Sequence, residues 1–332
     1  MGVAEGVHRA RSLGGWWAAL AAAVLSVGLA WPSAALAHVR TGTIAVDYRA
    51  SISAPRTAAY TAEIGQSDHS LRLTLAPGHA VIVLGYLAEP MARLDATGVA
   101  INAASPTAVA VGLLAKARAV DAATPSWRLR AAQRSVTWLD ARAQQLPAGV
   151  EASIWAVPLI VDGHRAALHG QLRRYPAPSL WVWGLLLAGL LAAGIRLVLL
   201  ARRDLTRAAA LGCAALGAVV CPVLALGFAL DANASPGTWI EAFNEIVFVG
   251  VGLAVLVRGR EPLRAGAAIG LGLVSLAVGL LDSAVFVHPV VLSLLPGALT
   301  RLLVVIAAGA GLVAIGLGGV GYADLLPSGL EI

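Results

Sequence analysis

The sequence is poor in charged residues, in cysteine and in methionine, and each shortage excludes a class of protein. Charged residues fill only 13% of the 332 positions, about half the share that is usual in a soluble globular domain. The two cysteines, Cys213 and Cys221, lie in one apolar run, so no disulfide stabilises the region before it. With only Met1 and Met91, the chain has no methionine-rich Cu(I) site.

Motifs that mark common catalytic sites are also absent. The region before Pro178 contains no HExxH, CxxC or GxSxG motif and no glycine-rich phosphate loop. We find no nucleophile and base at a catalytic spacing, so we expect a protein that is not an enzyme. The net charge of +6 comes without a basic patch of interleaved aromatic residues, which argues against nucleic acid as a partner.

The first 37 residues have the three parts of a secretory signal peptide. Basic side chains lie within residues 8–11, an apolar stretch covers residues 14–30, and Ala-Leu-Ala at 35–37 is a small-x-small cleavage site. An uncleaved anchor helix is the alternative. Cleavage after Ala37 would export the following region and leave His38 as its first residue.

An N-terminal His38 could bind a metal ion through two nitrogen atoms, one from the free α-amino group and one from the imidazole. Nitrogen pairs of this kind suit Cu(II), which favours tetragonal coordination by nitrogen and oxygen. The alternative is that His38 merely follows the signal. Copper is therefore the one cofactor that the sequence suggests, with His38 as its only named ligand.

Residues 38–178 have the pattern of an antiparallel β domain outside the cytoplasm. Residues 43–53 alternate apolar and polar side chains, as a half-buried strand does. Further strand-like runs, separated by turn signals, are 59–64, 70–75, 80–87, 98–102, 126–130, 135–140, 152–161 and 166–173. The alanine-rich residues 107–123 indicate a helix or a loop. Short strands at this spacing predict an all-β, sandwich-like domain.

The tryptophans and histidines of this region have plain expected roles. Trp127, Trp138 and Trp155 lie on predicted strands, so we expect them in the core. The histidines are scattered and are expected at the surface or in turns rather than as ligands: His69, His79, His164 and His169.

A series of short sequences follows in a fixed order along the chain. They are VIVLGY at 81–86, Glu89-Pro90, Asn102, Ser105-Pro106, Trp127, Trp138, WAVP at 155–158, Asp162-Gly163, Leu281-Asp282 and ALTR at 298–301. Their order resembles an uncharacterised family of exported membrane proteins that is common in actinobacteria. The resemblance implies an extracytoplasmic β domain followed by transmembrane helices, and it implies no established activity.

One departure from that family concerns metal binding. In the family, the tryptophan that matches Trp138 is typically followed by the stretch HDHRxHW, whose histidines are candidate metal ligands. Here residues 139–145 read LDARAQQ, so Asp140 and Arg142 match and the histidines are absent. The resemblance therefore carries no metal function over to this chain.

The second half of the chain contains five apolar runs, each long enough to cross a bilayer, for which about 20 residues suffice. These runs are 180–200, 208–230, 239–257, 265–287 and 292–320. We predict a five-helix transmembrane bundle over residues 179–320 and a short tail over 321–332. Small residues recur along the last two runs and indicate close helix packing in lipid.

Arginines between the runs predict the orientation of the bundle. Two turns are arginine-rich, with Arg202, Arg203 and Arg207 in one and Arg258, Arg260 and Arg264 in the other. The alternate loops, 231–238 and 288–291, contain no arginine or lysine. By the positive-inside rule the arginine turns and the tail are cytoplasmic. The β domain is then outside the cell membrane, in agreement with the export signal.

Polar and ionisable residues stand near the predicted outer ends of the helices: Glu241, Asn244, Glu245, Asp282, His288 and Arg301. A charge within a bilayer costs at least about 2.5–3.5 kcal/mol on insertion scales. One interpretation is structural, with Asp282 and Arg301 as an ion pair and the two glutamates capping a helix among the headgroups. The other is an outer polar cavity that binds a cation or a polar ligand.

These patterns favour an integral membrane protein that binds or senses a ligand through its exported domain, docked on the outer face of the bundle. One alternative is a copper-handling protein that uses His38. Another is an accessory subunit of a transporter, because five helices with no evident inverted repeat argue against an independent one. The expected partners are the lipid bilayer and another membrane or extracytoplasmic protein.

Overall fold

The computed structural model describes residues 43–54, 57–116, 124–200, 203–231, 234 and 236–323. Over these residues the chain forms two compact units. The β unit covers Val46–Pro176, and the helical unit consists of the described residues from Ala177 onward together with residues 43–45. The predicted signal peptide and His38 lie outside the described residues.

The β unit consists of antiparallel strands and one short helix. In chain order, with the flanking β1, the elements are β1 (Ala45–Val46), β2 (Tyr48–Ala54), β3 (Tyr60–Ile64), β4 (Ser70–Leu75), β5 (Val81–Leu84), β6 (Pro90–Asp95), β7 (Gly98–Asn102), α1 (Pro106–Ala110), β8 (Trp127–Ala131), β9 (Ser135–Leu139), a 3₁₀ turn (Ala141–Ala143), β10 (Ala152–Val161) and β11 (His164–Arg174). Seven strands form one sheet in the order β2-β11-β10-β5-β6-β7-β8, and β3-β4-β9 form a second.

The two sheets share one hydrophobic core. Leu71 and Leu73 of the smaller sheet belong to the same buried cluster as Val83 and Val157 of the larger one. Alternation along β4 explains this arrangement, because its leucines point inward while Arg72 is exposed. The predicted all-β, sandwich-like architecture is therefore confirmed.

The long β10–β11 hairpin shows how local sequence sets strand register. Its strands pair from Ala152↔Arg173 to Val161↔His164. The connecting residues, Asp162 and Gly163, have φ of 50° and 82°, as a type I′ turn requires. The Asp162 carboxylate fixes the turn further, since it accepts hydrogen bonds from the Ala80 amide and from His79 Nδ1, at 2.8 and 2.7 Å.

Some expectations for single residues of the β unit were wrong. Trp138 and Trp155 are buried as predicted, but Trp127 is only half-buried and lies under the Arg93 guanidinium. His69, expected at the surface or in a turn, directly follows the turn at residues 66–68 but is buried, and its ring stacks on that of Tyr48 with centroids 4.8 Å apart. Both departures from the expected burial arise from tertiary packing, which the local sequence does not determine.

Among its described residues the helical unit has five long apolar helices, α2 (Leu180–Leu200), α3 (Arg203–Ala229), α4 (Pro236–Arg258), α5 (Glu261–Leu281) and α7 (Gly297–Ala323), with a short α6 (Ala284–Val287) and β12 (Val290–Val291) before α7. Each of the five is long and apolar enough to cross a membrane. The chain is thus a multi-pass membrane protein. The strand β12 pairs with β1, and the Leu292 amide donates to the Ile44 carbonyl over 2.8 Å.

Glycine allows α5 and α7 to approach each other at backbone distance. A Cβ atom on Gly272 would lie 2.9 Å from the Gly311 carbonyl oxygen, and one on Gly311 would lie 2.6 Å from the Gly272 carbonyl oxygen. A larger residue at either position would force these helices apart. The small residues of the last two helices therefore provide the close packing that lipid-embedded helices need.

Candidate functional site

The turn between β5 and β6, residues 85–89, is built around the carboxylate of Glu89. Glu89 as a whole residue is only 7% exposed. Its Oε1 accepts hydrogen bonds from the Ser105 hydroxyl at 2.8 Å and the Thr107 amide at 3.3 Å, and its Oε2 accepts one from the Leu87 amide at 3.0 Å. The Gly85 amide donates to the Glu89 carbonyl at 2.8 Å. The turn is thus tied to a buried charge.

Neighbouring side chains extend this network to α1 and to β7. The Thr107 hydroxyl oxygen accepts a hydrogen bond from the Tyr86 amide at 2.8 Å, and the Ser105 hydroxyl oxygen caps α1 by accepting one from the Ala108 amide. Asn102 donates from its side chain to the Pro90 carbonyl at 2.7 Å. The chain therefore folds several of its family-like motif residues into one hydrogen-bonded cluster.

A side chain at position 85 would have to displace the same carboxylate. A Cβ atom there would lie 2.3 Å from Glu89 Oε1, closer than any non-bonded contact. Ala88, later in the turn, has a φ of 61°, in the left-handed region that non-glycine residues seldom adopt. Glu89 thus holds the turn in a conformation that the backbone alone would not choose.

The hydrogen bonds of Glu89 also set the ionisation of its carboxyl group. Burial raises the pKa of its carboxyl group, but the hydrogen bonds from Thr107 and Ser105 together outweigh burial and lower the pKa below its ordinary value. The group is then ionised near neutral pH. A carboxylate whose lone pairs are already engaged is poorly placed to act as a general acid.

What the turn presents to its surroundings is apolar. Leu87 is 74% exposed, and Tyr86 beside it is exposed as well. The Tyr86 ring lies under the Arg142 guanidinium, 4.9 Å from its centroid, and its hydroxyl oxygen accepts a hydrogen bond from the Ala141 amide at 2.9 Å. The exposed tip is therefore fixed from both sides.

Arg142 itself is fixed by Asp140, which is fully buried. Two Asp140 oxygens accept hydrogen bonds from Arg142 Nε and Nη2, both at 2.8 Å, and Trp138 Nε1 donates to the same carboxylate at 2.9 Å. Burial raises the pKa of Asp140, and the bonds from Arg142 and Trp138 outweigh it and lower the pKa. The two residues that match the family's HDHRxHW stretch thus form a bidentate pair that supports the turn.

In the helical unit, Arg301 of α7 binds the backbone rather than a solvent-facing ligand. Its guanidinium is buried, and its Nε donates to the Val285 carbonyl at 2.7 Å. Its Nη2 donates to the carbonyls of His288 and Pro289 at 3.1 and 2.9 Å. Arg301 therefore caps the end of α6, where helix carbonyls would otherwise lack donors.

The structure brings three of the six predicted polar residues to this place. Asp282 is fully buried at the end of α5, and its carbonyl oxygen accepts from the Val285 amide at 3.1 Å. Arg301 is therefore linked to Asp282 through Val285, whose amide binds the Asp282 carbonyl, and directly to the carbonyl of His288.

The other three polar residues lie on α4. Glu241 and Glu245 are half-buried, and Asn244 is exposed. Glu245 lies about 13 Å along the helix from its first residue, Pro236, given a rise of about 1.5 Å per residue, so it lies well inside the apolar span. Near its level, Cys221 of α3 contacts Ser275 of α5 across 3.6 Å.

The described residues contain no cluster of side chains that could bind a metal ion. Nowhere in the described ranges do three or more histidine, cysteine, aspartate or glutamate side chains gather closely enough to hold an ion. His38, the predicted copper ligand, lies outside those ranges, so the copper hypothesis stays a prediction.

Glu89, Ser105, Asp140 and Arg142 were not predicted as a site, although the order of the family-like motifs contained them. The signal that could have found them is the presence of carboxylates beside turn residues in an otherwise apolar stretch.

Comparisons with protein-family models, with curated proteins and with solved structures gave no match to this chain.

Proposed function

We propose that this chain is a membrane-anchored binding protein whose β unit lies outside the cytoplasm and recognises a protein partner through the turn at residues 85–89. The proposal assigns it no catalytic role. One observation carries it: Leu87 is 74% exposed at the tip of a turn whose backbone is held by a buried, fully engaged carboxylate.

Rigidity is what distinguishes this turn from other exposed apolar residues. Single exposed leucines are common on protein surfaces and need no explanation. An apolar and aromatic pair held in one conformation loses little conformational entropy on binding, which favours it as an anchor for a partner. Tyr86, restrained by Arg142 and Ala141, supplies the kind of residue that binding sites favour.

Placement outside the cytoplasm is supported by two features of the sequence, the N-terminal export signal and the arginine-bearing turns. A labelling experiment tests it in the full chain, with Cys213 and Cys221 replaced by alanine. Single cysteines at Ala96 and Leu294 should react with a membrane-impermeant maleimide in intact cells, and one at Glu261 should react only after lysis. The opposite pattern would place the β unit in the cytoplasm.

The binding role is tested by photocrosslinking in the native host. A photoreactive amino acid replaces Leu87 in the full chain, and in a control it replaces Ile154, which is 81% exposed on β10. We expect a discrete protein adduct from position 87 and none of that mass from position 154. Equal adducts from both positions, or none from position 87, would contradict the proposal.

A further inference from the structure

A cleft lies between α3, α5 and α7, at the end of the bundle where α3 and α5 begin. Its volume is about 390 Å³, counting the part that is open to solvent. Arg207 of α3 and Arg264 of α5 line it, together with Glu261. The remaining wall is apolar and includes Leu211 and Leu317. The cleft is thus lined by two basic residues beside apolar ones.

The two arginines differ in how they are held. Arg264 Nε donates a hydrogen bond to the Leu256 carbonyl at 3.0 Å. This bond restricts the orientation of the Arg264 guanidinium. For Arg207, which is half-buried, the structure shows no hydrogen bond or ion pair with any of the described residues. A guanidinium in a cleft that has no partner among the described residues suits an anion from outside the chain.

Glu261 neutralises this charge only weakly. Its Oε1 lies 3.9 Å from Arg264 Nη1, at the long limit of an ion pair, and its side chain is 62% exposed. Exposed pairs of this kind contribute little binding energy. The carboxylate is therefore a weak competitor that an anionic ligand would displace.

Helix ends add to the positive potential. Two helices begin here, α3 at Arg203 and α5 at Glu261, and the first turn of a helix carries a partial positive charge. The N-cap of α5, Arg260, forms no side-chain capping bond. Both helix starts therefore favour a negative group at this end.

We propose that this cleft binds the phosphate group of an anionic phospholipid, whose acyl chains stay in the surrounding bilayer next to the half-buried Leu211. Phosphate matches the fork of an arginine guanidinium, and basic pockets between transmembrane helices suit anionic headgroups. The apolar wall and the position at the ends of membrane-spanning helices favour a lipid over a free phosphate ion. This inference does not depend on the proposed function of the β unit.

The test measures phosphatidylglycerol binding to the full-length chain in detergent by native mass spectrometry, with phosphatidylcholine as the neutral reference. Arg207→Gln should weaken phosphatidylglycerol binding about fivefold, as loss of one interfacial arginine predicts. Glu261→Gln should tighten it, because the competing carboxylate is gone. Arg258→Gln removes an exposed arginine of the same end of the bundle that does not line the cleft, and it should leave binding unchanged.

Several results would overturn the proposal. Equal losses in Arg207→Gln and Arg258→Gln would show diffuse surface attraction instead of a site. Equal binding of the two lipids by the unaltered chain would exclude recognition of the anionic headgroup. If inorganic phosphate or glycerol phosphate displaced the lipid with the same dependence on Arg207, the ligand would be a soluble phosphate compound. Because Glu261→Gln predicts a gain, a folding defect cannot imitate the expected pattern.

Discussion

The Ser105 hydroxyl donates to the Glu89 carboxylate over 2.8 Å, between two residues that are both buried in the β unit. Through this bond the start of α1 is joined to the turn that presents Leu87. A buried carboxylate is costly unless its oxygens are engaged, and here hydroxyl and amide donors engage them. The exposed tip and the buried charge therefore belong to one hydrogen-bonded network.

Replacing Glu89 by glutamine should weaken the hydrogen-bonded network of the turn, while the volume of the side chain stays nearly the same. The amide nitrogen of glutamine would face a donor, so at least one buried hydrogen bond is lost, at a cost of about 1–3 kcal/mol. We expect the amides of Leu87 and Thr107 to exchange with deuterium about 5–150 times faster, measured by mass spectrometry on the full chain.

Asp95→Asn is the matched control for Glu89→Gln. Asp95 accepts hydrogen bonds from Thr97 in a solvent-exposed turn, so the same carboxylate-to-amide change should leave exchange at residues 85–89 unaltered. Identical exchange in the unaltered chain and in Glu89→Gln would mean that the carboxylate does not hold the turn.

The Asp140–Arg142 pair predicts strong coupling in a double-mutant cycle. Arg142→Gln leaves a buried carboxylate without its cation and should cost about 2–3 kcal/mol, less than for a fully buried pair because the Arg142 side chain is 23% exposed. Adding Asp140→Asn should recover part of that loss. Urea-induced loss of exchange protection in β9 gives the energies, and strictly additive losses would speak against the pair.

His69 predicts acid sensitivity of the β unit. Burial lowers the pKa of His69, and the nearby Asp68 opposes this shift only partly. The unfolded chain therefore takes up a proton as the pH falls through the ordinary value of 6.5, while the folded chain resists it, so stability is full above that pH and declines below it. The decline ends once the pH is below the folded pKa.

Urea midpoints for β3 and β4 at about pH 7.5 and about pH 5.5 measure this effect. His69 has a φ of 52°, which asparagine also tolerates, so His69→Asn is the suitable variant. We expect a smaller difference between the two midpoints in the variant. An undiminished difference would assign the acid sensitivity to other groups.

Arg301→Gln should destabilise the helical unit. The substitution leaves the carbonyls of Val285, His288 and Pro289 without their donor, at a cost of about 2–4 kcal/mol. Unfolding by sodium dodecyl sulfate in mixed micelles, followed by circular dichroism, should show an earlier midpoint. Arg258→Gln, an exposed change of the same kind, should not shift it; a shift of equal size in both would make the effect one of charge alone.

Strands and helices with a regular pattern could be predicted from the sequence. The alternation in Ser70–Leu75 and the long apolar run in Leu180–Leu200, which only Arg196 interrupts, predicted the observed bounds of these elements. The strand Pro90–Asp95 was missed, because it begins with proline and contains consecutive buried residues instead of alternating ones. The strand predicted over 80–87 ends at Leu84, since the chain then turns around the side chain of Glu89.

The contacts of the site could not be predicted, because they join residues far apart in the chain. Nothing near Glu89 in sequence indicates that Ser105 and Thr107 will engage it, and nothing near Arg301 indicates the carbonyl of Val285. An ion pair between Asp282 and Arg301 was one of two interpretations of the sequence, and the hydrogen bonds of Arg301 in the structure go to the backbone carbonyls of Val285, His288 and Pro289. The apolar length of a helix predicts how deep in the membrane a side chain lies, and the helix period predicts the face on which it lies. Only tertiary packing decides which atom that side chain contacts.

The decisive measurement is the yield of the crosslinked adduct from position 87 in the native host, compared among the otherwise unaltered chain, Glu89→Gln and Asp95→Asn. If the turn at residues 85–89 is a rigid recognition surface, the adduct forms in the first and third chains and falls severalfold in Glu89→Gln, at equal amounts of membrane-inserted protein. An adduct of equal yield in all three chains would contradict a role for Glu89 in presenting the turn. Failure to form any adduct would contradict recognition through Leu87 itself.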